Sequence, residues 1–349
     1  MTMLLKNPQI PQASAHTVAI HNPDVPSLTM YLDPINKTFT FDYSTHAIAC
    51  DRKLYLSRYR TLRPKVQNEA LHAGKSIHTF VENFWLGADF PTCLQKFIDV
   101  ATEDGSPLDM ETTSINKRSV RRLVEIMGAY YKKYDPMRAR WTPYIINNEP
   151  AVEIGFAFIL GVVNGWTIIY CGRIDRIMTM DGEPTLVDTK STTRFGPQYW
   201  QMLRPNNQIT GYTAAIKELI NILVKRTAID VIYIGEERKP DANGNYKIPK
   251  AVREEGPEAI SFWMLNAQFE HGPTTRSQND IDEWWIDMLV EGDRMRQLFE
   301  KPRYEDWPKR TSQCNTFGKC EFHDLCSLKG VNEQLVENLY EIHIWSPYE

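Results

Sequence analysis

The run from Ala151 to Ser191 constrains the fold more than any other part of this 349-residue chain. Four apolar or alternating stretches, Ala151–Gly161, Trp166–Cys171, Arg173–Met180 and Thr185–Ser191, are separated by Gly, Asn and Asp. Alternation punctuated in this way is the pattern of a strand meander joined by tight turns. A sheet of such strands must bury its apolar faces against another layer. The flanking sequence supplies that layer as helices. Residues 67–87 have helical spacing closed by Gly87, and residues 115–134 have it again, stopped by Pro136. In the second, Val120, Leu123, Val124 and Met127 form the core-facing stripe. Thr40–Arg63 is also read as helical, with Ser44 as its cap and Ile48, Leu54 and Leu56 at helical spacing.

Downstream, a helix is expected from about Gln198 to Val224 and strands at Ala228–Ile234 and Ala259–Leu265. A Trp-rich helix over 276–300 and a cysteine-rich tail follow. Residues 1–37, rich in Pro, Asn and His, are expected to form an irregular arm or a loose covering strand. Helices, a meander, another helix and further strands imply an α/β (α+β) fold, a central mixed sheet flanked by helices.

Charge narrows the function classes. The chain carries 40 Lys+Arg against 44 Asp+Glu, a net charge of −4. That excludes a polycation coating nucleic acid by bulk charge, so any nucleic-acid site is a local patch. The apolar start of the chain is broken by Lys6, Pro8 and Pro11, unlike a signal peptide. No stretch approaches the roughly eighteen apolar residues of a membrane helix. The expectation is a cytoplasmic protein with no membrane partner.

Segment 172–191 carries the chemistry. Asp175 falls on one strand, and Asp188 and Lys190 fall two apart on the next, hence on one face. A turn at Asp181–Gly182 brings Asp175 alongside them. Carboxylates so gathered bind a hard cation such as Mg²⁺ or Mn²⁺, which polarises a phosphodiester and acidifies a bound water. The lysine orients or deprotonates that water, or stabilises the developing charge. Alone, the Asp-x-Lys tripeptide equally suits a structural ion pair. Glu153, at the start of an apolar strand, asks for a reason. His78 lies in the helix over 67–87, and Gln208 and Tyr212 share one face of the helix after Lys190.

In this order Gly74-x-x-x-His78, Glu153, Gly172-x-x-Asp175, Asp188-x-Lys190 and Gln208-x-x-x-Tyr212 resemble the PD-(D/E)xK nucleases of the RecB type. The proline nominally preceding the first aspartate is replaced by Ile174. The resemblance spans roughly residues 40–326 and implies a restriction-endonuclease-like core. It implies that His78, Glu153, Asp175 and Asp188 hold the metal, that Lys190 is the catalytic lysine, and that Gln208 and Tyr212 shape the site or touch nucleic acid. The corresponding divisions are an arm (1–37), a helical region with the His-bearing helix (38–140), a nuclease core (141–305) and a cysteine-rich end (306–349).

Six cysteines are too sparse for a disulfide scaffold. Cys314, Cys320 and Cys326 recur at six-residue intervals, an incomplete tetrahedral set. His323 or Cys50 could complete it. One cysteine before the core and three after it resemble the iron–sulfur staple of AddB-type nucleases and related CRISPR-associated exonucleases. That resemblance implies a [4Fe–4S] cluster on Cys50, Cys314, Cys320 and Cys326, with Zn²⁺ on the same thiolates as the alternative. Cys93 and Cys171, without partners at ligand spacing, are read as small buried hydrophobes.

Three basic stretches are candidates for phosphate contact: Arg52–Lys65, Lys117–Arg122 (with Arg118, Arg121 and Arg122), and Arg194–Arg204. The last interleaves Arg194 and Arg204 with Phe195, Tyr199 and Trp200, which could stack unpaired bases or belong to the core. Trp284 and Trp285 are read as packing residues. The expected activity is metal-dependent DNA exonuclease action on single strands or ends, in phage or prokaryotic recombination, replication or repair. The alternatives are a DNA-end-binding adaptor and a flap or branch endonuclease. No Walker A lysine motif is present, so the expectation is a stand-alone nuclease or one that borrows a helicase or recombinase as partner. Some relatives form rings, which keeps a homo-oligomer open.

Overall fold

A computed structural model describes residues 19–21, 25, 31–66, 68–103, 108–110, 118–203, 206–222, 224, 226–316, 318–328 and 331–348. The early strands are β1 (Ala19–His21), β2 (Tyr31–Asp33), β3 (Thr38–Asp42) and β4 (Leu62–Pro64). Next come β5 (Trp141–Pro143), β6 (Ile145–Ile146), β7 (Glu149–Pro150), β8 (Val152–Val163) and β9 (Trp166–Met180). The last are β10 (Glu183–Thr192), β11 (Arg226–Ile234), β12 (Ala267–Thr275) and β13 (Tyr340–Ile342).

The main sheet runs β1-β8-β9-β10-β11-β12, with β2, β3 and β5 joined beside that path. It is mixed: β8, β9 and β10 form an antiparallel meander, β11 lies parallel to β10, and β12 antiparallel to β11. The meander follows from its turns. Asn164–Gly165 and Asp181–Gly182 all take left-handed φ, from 52 to 86°. Two successive left-handed residues make the hairpin turn whose twist suits the strands, and Asn-Gly and Asp-Gly adopt it at little cost.

β9 is continuous where the sequence suggested a break at Cys171–Gly172. Gly172 serves a close approach instead, since a Cβ there would meet the Phe156 ring at 2.8 Å. Along one edge β9 pairs with β8. Along the other it pairs with β3 over Thr167–Cys171 and with β10 only over Arg176–Met180. Between these partners the sheet opens at Gly172–Asp175.

Alternation sends neighbouring side chains to opposite cores. Ile177 and Leu186 join one core with Tyr212 and Trp284. Their neighbours Met178 and Val187 join another with Phe80, Phe84 and Tyr130. The first core packs against α7 (Asn207–Ile220) and α10 (Gln278–Phe299), the second against α3 (Glu69–Trp85), α4 (Phe90–Ala101) and α5 (Val120–Tyr134). Among the described residues no helix is long and apolar enough to cross a membrane.

Three local expectations are corrected. Ala259–Leu265 is not a strand but most of α9 (Pro257–Leu265), which follows α8 (Lys250–Glu255) and ends at left-handed Asn266. A short apolar run has no period to separate helix from strand. The strand is the next segment, β12, whose Gly272 and Pro273 are tolerated at a sheet edge. The helix expected over 198–224 is two, α6 (Pro197–Leu203) and α7. In Thr40–Arg63 the first residues complete β3, and Asp42 rather than Ser44 caps α1 (Tyr43–His46). α2 (Asp51–Leu54) and a π-helical turn at Tyr55–Tyr59 follow. The early segment contributes β1, parallel to β8, and β2, antiparallel to β3.

The basic run after Cys50 clasps the C-terminal segment, which holds α11 (His323–Ser327) and α12 (Glu333–Leu339). Buried Arg52 donates from Nε to Trp307 O at 2.7 Å and lies over the Tyr304 ring. Lys53, Arg60 and Arg63 pair with Glu321, Glu333 and Glu341, and β13 pairs with β4. These cations are therefore engaged within the chain rather than gathered as a free patch.

Candidate active site

The site forms where β9 and β10 part. Their ladder ends at Val187 opposite Arg176. One step further along the two strands, beyond that last pair, stand Asp175 and Asp188. Asp175 accepts a 2.7 Å hydrogen bond from Thr189 N. α3 brings His78 across the opening, with Nδ1 3.5 Å from Asp175 Oδ2. β8 brings Glu153, whose φ of 49° is left-handed. A non-glycine residue in that conformation within a strand is strained, and such strain persists where surrounding structure enforces it.

His78, Glu153 and Asp175 each offer one ligand atom, all within 4.8 Å of one another, and among the described residues they are the only such group. Oxygen and imidazole donors at this spacing fit one divalent cation. Burial pushes the Glu153 carboxyl well above the usual range, and the charges of Asp175 and Glu82 push it further. Arg173 and Arg176 act in the opposite direction but do not outweigh these effects. Glu82, one helical turn after His78 on α3, was not singled out in the sequence. Its i, i+4 spacing from His78 was the available signal.

Asp188, expected as a fourth ligand, stands beside this group rather than within it. Its Oδ2 lies 2.8 Å from Lys190 Nζ, and its side chain is wholly buried. Asp188 Oδ1 is buried with no hydrogen-bond partner, and Oδ2 has only the Lys190 ammonium beside it. Such orphaned acceptors are rare in a protein interior and suit a site that binds something. A bound cation would polarise a phosphodiester and stabilise its developing charge.

Lys190 also donates to Gln208 Oε1 at 3.0 Å, and Gln208 Nε2 donates to Tyr212 OH at 2.9 Å. The amide is thereby fixed with its carbonyl toward the ammonium. Burial acts to lower the Lys190 pKa, but Asp188 and Asp175 outweigh it and hold it above the ordinary value. Lys190 is thus a positioned cation, suited to charge on a phosphate oxygen.

The four proposed cluster cysteines are free and half-buried. Arg310 N lies 3.4 Å from Cys50 Sγ, and Arg52 N donates to Pro308 O. Burial raises the Cys326 thiol, and the charges of Cys320 and Cys50 add to that. Cys320 is raised by burial and, less strongly, by Cys314. Cys326 thus neighbours Cys320 and Cys50, and Cys320 neighbours Cys314, a series of thiols from both segments whose chemistry fits a thiolate-bound cofactor. Cys93 and Cys171 are buried in the cores.

The candidate DNA contacts fare unequally. Arg122 is 1% exposed and its Nη2 donates to Gly235 O and Leu265 O, so burial removes it from any phosphate. Arg121 pairs with Glu125 and Glu237, and Arg118 lies 3.9 Å from Glu69. Arg194 is exposed after β10. Arg204 and Lys117 lie outside the described residues. Phe195, Tyr199 and Trp200 pack edge to face with centroids 5.8–5.9 Å apart. Burial raises the Tyr199 pKa, and Lys190 and Asp188 both act on it, which places the ring beside the site. Trp200 rests on Gly272 of β12. Trp284 and Trp285 are packing residues, the latter donating to Leu160 O.

A mixed sheet that opens at one point to gather carboxylates, an imidazole and a lysine has the architecture of a nuclease. The family model of the PD-(D/E)XK nuclease superfamily matches residues 44–327, and the chain belongs to that family. It is therefore a nuclease, a hydrolase acting on nucleic acid. No curated protein matches the sequence. Among solved structures it is similar to a candidate exonuclease from Eubacterium rectale (10% identity, 84% of this chain and 91% of that one, TM-score 0.43). It is also similar to SSO0001 (10% identity, 83% and 86%, TM-score 0.33).

Proposed function

We propose that the protein is a Mg²⁺- or Mn²⁺-dependent DNA exonuclease that hydrolyses phosphodiester bonds of single strands or DNA ends. The observation that carries this is the convergence of His78, Glu153 and Asp175 beside the Asp188–Lys190–Gln208–Tyr212 chain. His78, Glu153 and Asp175 would hold the cation, with Asp188 adjoining. Lys190 would neutralise charge on the phosphate, and Gln208 and Tyr212 would hold Lys190 in place. Tyr199, Trp200 and Phe195 are the best placed stacking surface for an unpaired base, with Arg194 nearby for phosphate.

We assign a [4Fe–4S] cluster to Cys50, Cys314, Cys320 and Cys326, in a structural role. Zinc is the competing occupant. Zn–S bonds of about 2.3 Å put tetrahedral sulfurs roughly 3.8 Å apart. Iron and zinc analysis of the purified protein separates the two occupants. The setting inferred is the cytoplasm of a prokaryote or phage-infected cell, in recombination, replication or repair, with a helicase or recombinase as partner.

The test is digestion of end-labelled DNA by anaerobically prepared protein, with Mg²⁺, with Mn²⁺ and with chelator. Cation-dependent release of label is expected. Absence of cleavage on every DNA tried overturns the reading, and cleavage of circular single strands replaces the exonuclease by an endonuclease.

A further inference from the structure

Behind the metal group lies a buried polar network that the nuclease reading leaves unused. Arg176 follows Asp175 on β9, and Thr189 lies between Asp188 and Lys190 on β10. Neighbouring strand residues point to opposite faces, so this pair turns away from the site while its neighbours turn toward it. Arg176 Nη2 meets Asp230 Oδ2 of β11 at 2.5 Å, with side chains 2% and 0% exposed. Arg176 Nη1 donates to Thr189 Oγ1 at 2.6 Å. Tyr130 of α5 donates to Asp230 Oδ2 at 2.7 Å, and His271 of β12 lies 3.5 Å from Oδ1.

Stability alone does not call for such a network, because a buried ion pair is often replaceable by apolar residues without loss. Its placement suggests another purpose. The β9–β10 ladder stops at Arg176, so no backbone bond of that ladder fixes the separation of Asp175 from Asp188. β10 is fixed to β11 and β9 to β8, and the direct tie across the gap is Thr189, held from both sides. Its backbone N–H donates to Asp175 in the site, and its hydroxyl accepts from Arg176 behind the sheet.

We propose that Thr189 and Arg176, anchored by Asp230, are positioning residues that set the Asp175–Asp188 separation and thereby the affinity of the site for a divalent cation. This rests on reading His78, Glu153 and Asp175 as the metal group.

The experiment is direct Mn²⁺ binding to the full chain, by calorimetry or by the electron-spin signal of free Mn²⁺, beside thermal melting without metal. Thr189→Val removes the hydroxyl at nearly constant volume, and Thr189→Ser keeps it. Residues that orient metal ligands typically contribute about 10- to 100-fold in affinity. Thr189→Val is expected to weaken Mn²⁺ binding at least tenfold, with Thr189→Ser near wild type. Arg176→Lys keeps the charge but not the planar fork that spans Asp230 and Thr189, and is expected to weaken binding likewise. It stands in if Thr189→Val does not fold. Folded variants that bind Mn²⁺ as wild type does, whatever their melting temperatures, overturn the proposal. Wild type that binds no Mn²⁺ overturns the metal group itself.

Discussion

Lys190 and Asp188 share one side of β10, and the ammonium lies 2.8 Å from a carboxylate that is wholly buried. Burial raises the Asp188 pKa, Lys190 lowers it, and Asp175 raises it. Lys190→Ala leaves that carboxyl without its cation. DNA cleavage is expected to fall roughly 10²- to 10³-fold, the usual cost of a lost charge-stabilising donor, with DNA binding retained. A second consequence follows for stability. Without Lys190, Asp188 must hold a proton or be charged and unpaired. A raised carboxyl contributes stability at low pH and loses it as pH rises through the folded value. The melting deficit of Lys190→Ala against wild type should therefore widen from about pH 5 to pH 8. A deficit that is constant with pH would count against the ion pair.

Glu153 makes the wild type itself pH-dependent. Burial, then Asp175, then Glu82 raise its pKa well above the ordinary carboxylate value. Metal-free protein should lose stability as pH rises through that raised value, because the charged form is the disfavoured one. A cation reverses the preference by competing with the proton. The thermal shift caused by Mn²⁺ should then grow between about pH 5 and pH 8. Melting curves with and without Mn²⁺ across that range check this, and Glu153→Gln should flatten the dependence.

Much of the site was legible because its determinants are local. The i, i+2 spacing of Asp188 and Lys190, the Asp181–Gly182 turn, and the i, i+4 spacing of Gln208 and Tyr212 depend only on the periods of strand and helix. What escaped was set by distant partners. The pairing of β3 with β9, which opens the sheet at Asp175, joins residues far apart in sequence. Glu153's left-handed backbone leaves no trace in composition. Charge type did not reveal engagement either. Arg52 and Arg122 read as surface cations, yet both are buried against backbone carbonyls. Strand β12 was misplaced because Gly272 and Pro273 look like breakers, while the apolar run before them is helix α9.

Gly155 on β8 supports the chain end. A Cβ there would meet Pro347 O at 2.4 Å and Tyr348 Cδ1 at 2.8 Å. Arg173 holds the same segment, donating to Pro347 O at 3.2 Å, and its Nη1 lies 3.9 Å from Glu153. Gly155→Ala should cost about 1–3 kcal/mol, the range for overpacking. Deleting residues 346–349 should remove most of that cost, since the clash is with the tail, and a double-mutant cycle in urea measures the coupling. Simple additivity would place the strain elsewhere in β8.

The cysteine set predicts a split between its members and the remaining two. Cys50 caps α2 and Cys326 lies in α11, at opposite ends of the family region. Around them the chain is joined by Arg52 to Trp307 O and by exposed pairs such as Arg63–Glu341. Exposed pairs contribute about 0–1 kcal/mol each, so the surface clasp is weak by itself. A cofactor spanning Cys50 and Cys326 would supply a stronger cross-link, its free energy of binding to the folded chain adding to the free energy of folding. Cys50→Ser and Cys326→Ser should each abolish the broad visible absorbance of an iron–sulfur protein and lower the melting temperature. Both should also speed limited proteolysis in 308–328. Cys93→Ala, on the buried face of α4, should keep the absorbance whatever its effect on stability. If Cys50→Ser retains the full band and iron content, Cys50 is not a ligand and the fourth donor must be sought nearer the other three, with His323 the first candidate.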